Sequence, residues 1–212
     1  MACAICEIRR PRRFCPGVRG EICSLCCGTE REVSVNCPLE CEYLQEARRH
    51  EKPQVPGNSE FSHRDIEVSE KLLLDNEELL TFLSATIFRT AMDTPGVADG
   101  DVHEALESLI RTYRTLQSGL YYDSRPTNPL AGAIFGKVQD ALAEYRRLEH
   151  EQLGLTKTRN ADCLGLLVFL QHLEIDRNNG RRRGRAFLNA LRAFHMAEPE
   201  LSPSSESSII FP

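Results

Sequence analysis

The sequence lacks the footholds of an enzyme. It contains no His-Glu-x-x-His, nucleophile elbow, phosphate-binding loop or dinucleotide fingerprint, and its histidines, at 50, 63, 103, 150, 172 and 195, are scattered. Glu60 and His63 have the spacing of a carboxylate-bridged metal motif, but a single copy beside a linker reads as chance. Surplus positive charge is missing too. With 26 Lys and Arg against 31 Asp and Glu, the net charge of −5 excludes a wholly basic nucleic-acid binder, so any phosphate contact must be local. The longest apolar run, Cys163 to Leu170, falls well short of the roughly 20 residues that span a bilayer. From Met1 the chain reaches Arg9, Arg10, Arg12 and Arg13 without the apolar stretch of a signal peptide, so a cytoplasmic location is expected.

Cysteine is nearly absent after residue 41, where only Cys163 remains, and an isolated thiol in an apolar helix reads as a small core residue. The other eight of nine crowd into residues 3–41: Cys3-x2-Cys6, Cys15, Cys23-x2-Cys26, Cys27 and Cys37-x3-Cys41. Disulfides do not persist in a reducing compartment, so paired Cys-x-x-Cys turns read as metal ligands. Eight thiols match two tetrahedral zinc sites, with sulfurs about 2.3 Å from each ion. Cys3, Cys6, Cys23 and either Cys26 or Cys27 make the first site. Cys15, the other member of that adjacent pair, Cys37 and Cys41 make the second, interleaved with the first. In an extended segment Cys26 and Cys27 diverge, which suits them to different ions. Turn residues Pro16, Gly20 and Gly28, a short strand over Glu30–Val35 and a closing helix over Cys41–His50 suggest two small hairpins and a helix. A single zinc with leftover structural thiols is the plainer alternative.

Cys3-x2-Cys6, then Phe14-Cys15-Pro16, then Cys23-Ser24-Leu25-Cys26 resembles the opening of HIT-type zinc fingers, relatives of the B-box and MYND cross-braced modules. The resemblance covers about 40 residues. It departs where no second cysteine follows Pro16 and where the late histidine is Cys37 or absent. The whole chain also resembles bacterial proteins that join such a finger to a helical body. Both resemblances imply binding and assembly, with occasional contact to nucleic acid, and imply no catalytic activity.

Pro53, Pro56, Gly57, Asn58 and Ser59 mark a linker over 53–62 that separates a cysteine-rich module, residues 1–52, from a body over 63–197. In that body apolar residues recur three and four apart, which predicts a helical bundle. The first helix covers roughly 65–92, with a possible break at Asp75-Asn76, and stops before Pro95-Gly96. Asp101 and Glu104 have capping-box spacing at the start of a second, which Gly119 closes. Asn128-Pro129 opens a third, ended by Gly154. A fourth from near Asn160, apolar almost all round, belongs at the centre and breaks at Asn178-Asn179-Gly180. A short fifth carries Phe187, Leu188, Leu191 and Phe194 on one face. His172 reads as a partly buried packing residue, and Tyr121 and Tyr122, in an inter-helix turn, as a cap on the bundle, with exposed aromatics that bind a partner as the alternative. The predicted class is therefore mainly α: a small two-zinc cross-braced finger followed by an α-helical bundle.

Two arginine groups stand out, Arg9, Arg10, Arg12 and Arg13 beside the first cysteine turn, and Arg177, Arg181, Arg182, Arg183 and Arg185 before the last helix. Guanidinium forks suit phosphates, so Arg9, Arg10, Arg12, Arg13, Arg181, Arg182, Arg183 and Arg185 are candidate nucleic-acid contacts; carboxylate pairing is the commoner use. The tail, 198–212, ends in Ile209, Ile210 and Phe211, which are candidates for docking on the finger or on a partner by strand addition. Together these features predict a non-enzymatic, zinc-binding adaptor with a protein partner, no membrane and no small-molecule substrate. A nucleic-acid-associated regulator is the alternative, and a thiol redox sensor is a weaker one.

Overall fold

The structure, a computed structural model, describes residues 2–51 and 62–197. The expected linker apart from Ser62, Glu60, and the tail with Ile209, Ile210 and Phe211 lie outside the described residues. Among the described residues are one two-stranded sheet and eight helices, none of them long and apolar enough to cross a membrane.

The module opens with a hairpin, β1 (Arg13–Cys15) antiparallel to β2 (Gly20–Ile22), in which Cys15 faces Gly20. Helix α1 (Ser24–Glu30) follows, and α2 (Glu42–His50) closes the unit. Two expectations are corrected here. There is one hairpin rather than two, because Glu30–Val35 is a turn: the Glu30 carbonyl accepts N–H bonds from Val33, Ser34 and Val35, leaving only an isolated bridge from Arg31 to Val35. Cys26 and Cys27 lie on helix α1 and not in an extended segment, so about 100° of helical rotation separates them. Five buried cysteines with Ile22, Val35 and Leu44 form the interior of the module.

The body starts with α3 (Glu70–Asp75), capped by the Ser69 hydroxyl, and α4 (Glu77–Asp93). The break between them falls at Asn76, whose side-chain amide donates to the Leu72 carbonyl. Helix α5 (Asp99–Gln117) begins two residues before Asp101, which lies in its first turn and accepts the Ala98 N–H at 2.8 Å; Asp101 and Glu104 do not form the expected box. Gly119, with φ 78, lies just beyond its end. Helix α6 (Pro129–Leu153) starts on the Asn128 side chain and ends on Gly154 at φ 72. Helix α7 (Asn160–Arg177) and α8 (Ala186–Ala197) are the last two elements among the described residues.

Helices α5 and α7 form the central pair, α6 lies along α4 and α5, and α8 packs on α4 and α7. Leu106, Leu109 and Ile110 of α5 meet Leu166, Leu167 and Val168 of α7 in one core with Ile87, Ile134 and Phe187. The all-round apolar pattern of α7 thus reflects burial on several sides. Cys163 lies in this core, 3.3 Å from Arg146 Nη2; burial pushes its thiol up to about 11, so it is protonated and inert. Gly165 is where α3 meets α7, since a Cβ there would run into the Leu72 side chain. Phe194 departs from its expected face and is 53% exposed, edge-on to His195. Tyr121 and Tyr122 do not cap the bundle; they are 84% and 67% exposed. His172 is half-buried and bonds the Ser62 carbonyl, while His63 pairs with Glu107 at 2.7 Å.

Candidate metal centre

Cys3 and Cys6 sit on a turn that the backbone holds. The Glu7 N–H donates to the Cys3 carbonyl, Glu7 itself has φ 56, and the Cys3 N–H donates to the Arg9 carbonyl. A further bond, from Ala4 N–H to the Glu21 carbonyl, ties this turn to β2. β2 leads directly into Cys23, whose sulfur accepts the Cys26 N–H at 3.4 Å and so caps α1. The Cys23 N–H in turn points at Cys3 Sγ, 3.2 Å away. These links bring the sulfurs of Cys3, Cys6, Cys23 and Cys26 within 4.8 Å of one another. In a tetrahedron with bonds of about 2.3 Å, sulfurs lie about 3.8 Å apart, so the group fits a thiophilic ion after small adjustments.

The electrostatics favour a cation. Burial pushes the Cys3 thiol up, but N–H bonds from Cys6, Cys23 and Ile5 outweigh it and hold Cys3 at about 6. Cys6 is lowered by the N–H groups of Arg9 and Ile8, whereas burial and the other sulfurs push Cys26 up to about 12. Such a split is what crowded thiols show when the charge of the first opposes ionisation of the last, and a divalent ion removes that opposition. The Cys6 and Cys23 sulfurs raise Arg9 in return. Four thiolates around a divalent ion carry two net negative charges, and Arg9 lies where it offsets part of them. The group can therefore hold a metal ion such as zinc.

The remaining four cysteines share a second location. Cys15, Cys27, Cys37 and Cys41 line one small cavity of about 10 Å³, together with Arg13, Arg31 and Tyr43. Cys15 comes from β1, Cys27 from the face of α1 turned away from Cys26, and Cys41 from the start of α2. Gly17 lets the 15–20 turn close on Cys37, because a Cβ there would strike the Asn36 carbonyl at 2.5 Å. Arg13 Nη1 is 3.7 Å and Arg31 Nη2 4.0 Å from Cys27 Sγ, and the Arg13 guanidinium stacks 3.9 Å over Tyr43. Burial raises Cys37, opposed by the Glu32 N–H and reinforced by Glu32, Cys15 and Cys41. Among the described residues only the first group has its sulfurs drawn within 4.8 Å.

The arginines divide. Arg9 and Arg13 face sulfur, and Arg10 and Arg12 are exposed. Arg181 pairs with Glu51 at 2.7 Å and with Glu32 at 3.7 Å, Arg185 is half-buried with its N–H on Glu32, Arg183 is half-buried and Arg182 is exposed. Three acidic residues that the sequence did not single out organise this region. Glu32 is fully buried between module and body. Asp99 accepts the N–H groups of Phe187 and Leu188 at 2.9 and 3.1 Å, capping α8 from across the fold. Glu107 gathers His63, Arg111 and Gln171. None lies in a motif, and apart from Arg48, 16 residues from Glu32, and Arg111, one helical turn from Glu107, the partners named are 44 to 153 residues away, so no local pattern announces the clusters. Compared with known proteins, the chain matches no protein family, no curated protein and no solved structure.

Proposed function

We propose that this chain is a non-enzymatic adaptor whose N-terminal module is held by two structural zinc ions and presented by the helical body to a protein partner. The observation that carries the reading is the four-sulfur group of Cys3, Cys6, Cys23 and Cys26. Four thiolates complete a tetrahedron and leave no open position for a reacting water, as structural zinc requires and catalytic zinc does not. Soft sulfur selects zinc over magnesium or calcium, and the cavity shared by Cys15, Cys27, Cys37 and Cys41 supports a second ion in the interleaved arrangement of HIT-type and B-box fingers.

An adaptor is favoured over a nucleic-acid regulator because the Arg9, Arg13 and Arg181 side chains are directed at sulfur or at Glu32 and Glu51, which reduces the charge left for phosphates. Exposed Ile8, Phe14 and Leu25 give the module apolar contact surface. Native mass spectrometry of the full chain, before and after chelation, tests the reading. Two zinc ions per chain are expected, with at least one lost in Cys3→Ser and at least one in Cys37→Ser; a metal-free mass for protein purified without oxygen overturns it.

A further inference from the structure

We propose that Glu32 couples the second thiol centre to the helical body, so that an ion held by Cys15, Cys27, Cys37 and Cys41 locks the loop that leads into α8. The inference rests on the two-ion reading above and deepens it by naming what the second ion controls.

Glu32 sits between two of those cysteines, in the turn that separates α1 from Cys37, with φ 55. Each of its polar parts has a separate task. It lies five residues before Cys37, and its N–H opposes the burial that raises that thiol. Its carbonyl accepts the Arg183 N–H at 2.8 Å. One carboxylate oxygen accepts Arg48 Nη2 at 2.7 Å, from α2, and the Arg185 N–H at 3.0 Å, while the other accepts the Asn179 side-chain amide at 2.9 Å. A single residue, none of it exposed, therefore joins the thiol centre, the closing helix of the module and three positions of the 178–185 loop.

That loop is built to receive it. Asn178 and Asn179 oxygens accept N–H bonds from Gly180 and Arg181, and the Gly184 carbonyl accepts the Asp99 N–H. A Cβ on Gly184 would collide with the Asn179 side chain. The other ties between module and body, Arg181 to Glu51 and Arg192 to Glu40, are ion pairs with solvent access, and such pairs hold little. A buried carboxylate that accepts several bonds is different, because displacing it strands its donors. When the ion leaves, the 30–37 turn loses the anchor at Cys37, Glu32 is withdrawn, and the Arg183 and Arg185 amides open to water. The core of α4–α7 does not depend on these contacts and persists.

Coupling of this kind is reciprocal. A lesion on the body side must weaken binding of the second zinc by the same factor that zinc tightens the loop, a readout that a purely local role for Glu32 does not produce. The experiment uses the zinc-loaded full chain. Hydrogen exchange of the 179–188 segment is followed in wild type, in Cys37→Ser and in Glu32→Gln, and competition with a chelator reads the affinity of each zinc in wild type and in Gly184→Val. Expected are exchange at 179–188 faster by about tenfold or more in both module variants with 162–174 unchanged, and loss of about tenfold in second-zinc affinity in Gly184→Val with the first zinc unaffected. Glu32→Gln keeps all cysteines, so it answers if Cys37→Ser fails to fold. A wild-type mass with one zinc overturns the two-ion reading and this inference with it. Two zincs, with exchange at 179–188 indifferent to both module variants or second-zinc affinity unchanged in Gly184→Val, overturn the coupling alone.

Discussion

Replacing Cys23 by serine separates the two duties of that residue. The serine hydroxyl still accepts the Cys26 N–H and caps α1, but it is a poor zinc ligand, so the change isolates the contribution of the metal. Besides its cysteines the module buries Ile22, Val35, Leu39 and Leu44. At about 1.5–3 kcal/mol each before the entropy of ordering the chain, these four side chains supply less than two structural zinc ions at about 10–16 kcal/mol apiece. The module is therefore expected to unfold in Cys23→Ser, or on chelation of the wild type, while the body keeps its own core and melts as before. Far-UV circular dichroism should change little, because α1 and α2 have only 7 and 9 residues against 17 to 25 in each of α4, α5, α6 and α7. Hydrogen exchange should show the difference sharply: amides of 2–50 lose protection, those of 102–113 and 162–174 keep it. A metal-free Cys23→Ser protein that retains native protection over residues 2–50 refutes the reasoning, since then something other than an ion holds the module.

Three further outcomes concern the body. Burial pushes the Glu107 carboxyl up, but bonds from Gln171, His63 and Arg111 outweigh it and hold it at about 2, so its contribution is present above about pH 4 and is lost as pH falls towards 2; Glu107→Ala should cost about 2–3 kcal/mol at neutral pH by urea titration and flatten the acid limb. Asp99 behaves in the opposite sense: burial first, then Glu174 and Glu32, raise it to about 7 against the Phe187 and Leu188 N–H bonds, so the native state keeps a proton that the unfolded chain releases, and stability should fall as pH climbs from about 4 to about 7. Thermal melts of wild type against Asp99→Asn across that window measure it, and equal slopes for the two proteins refute it. Gly165→Val should destabilise by about 1–3 kcal/mol, because the new side chain must displace Leu72 where α3 crosses α7, whereas Gly136→Ala, which meets nothing, should be neutral or mildly stabilising in the same melts.

The body was legible because its signals are local. Asn128-Pro129, Gly154 and the Asn178-Asn179-Gly180 stop each act within one turn of helix, and the structure places helix ends at all three. The start of α5 was misplaced because Asp101 can serve either as a cap or as the first-turn carboxylate that receives the N–H three residues back, and only the course of the preceding chain, held by the Asp99–Gly184 bond, decides between them. Phe194 followed the period of α8 yet lies exposed, since periodicity gives a face but not how far a neighbouring helix extends to cover it. In the module the reading was weaker for the converse reason. Residues 24–30 were not anticipated as a helix, because seven residues with two adjacent cysteines and a glycine carry almost no apolar period.

Spacing alone left open which of Cys26 and Cys27 joins which set, and the helix resolves it. Cys26 lies three residues after Cys23 and shares its face of α1, next to Cys3 and Cys6; Cys27 follows by about 100° and turns to the cavity of Cys15, Cys37 and Cys41. One short helix thus reaches both sulfur groups, and the turn that ends it carries Glu32 to the body. A chain that needed only a metal staple for its first fifty residues has no use for a buried carboxylate aimed at residues 179–185. The burial of Glu32, costly unless every lone pair is met from both sides, is the reason to regard module and body as one mechanical unit and not as beads on a string.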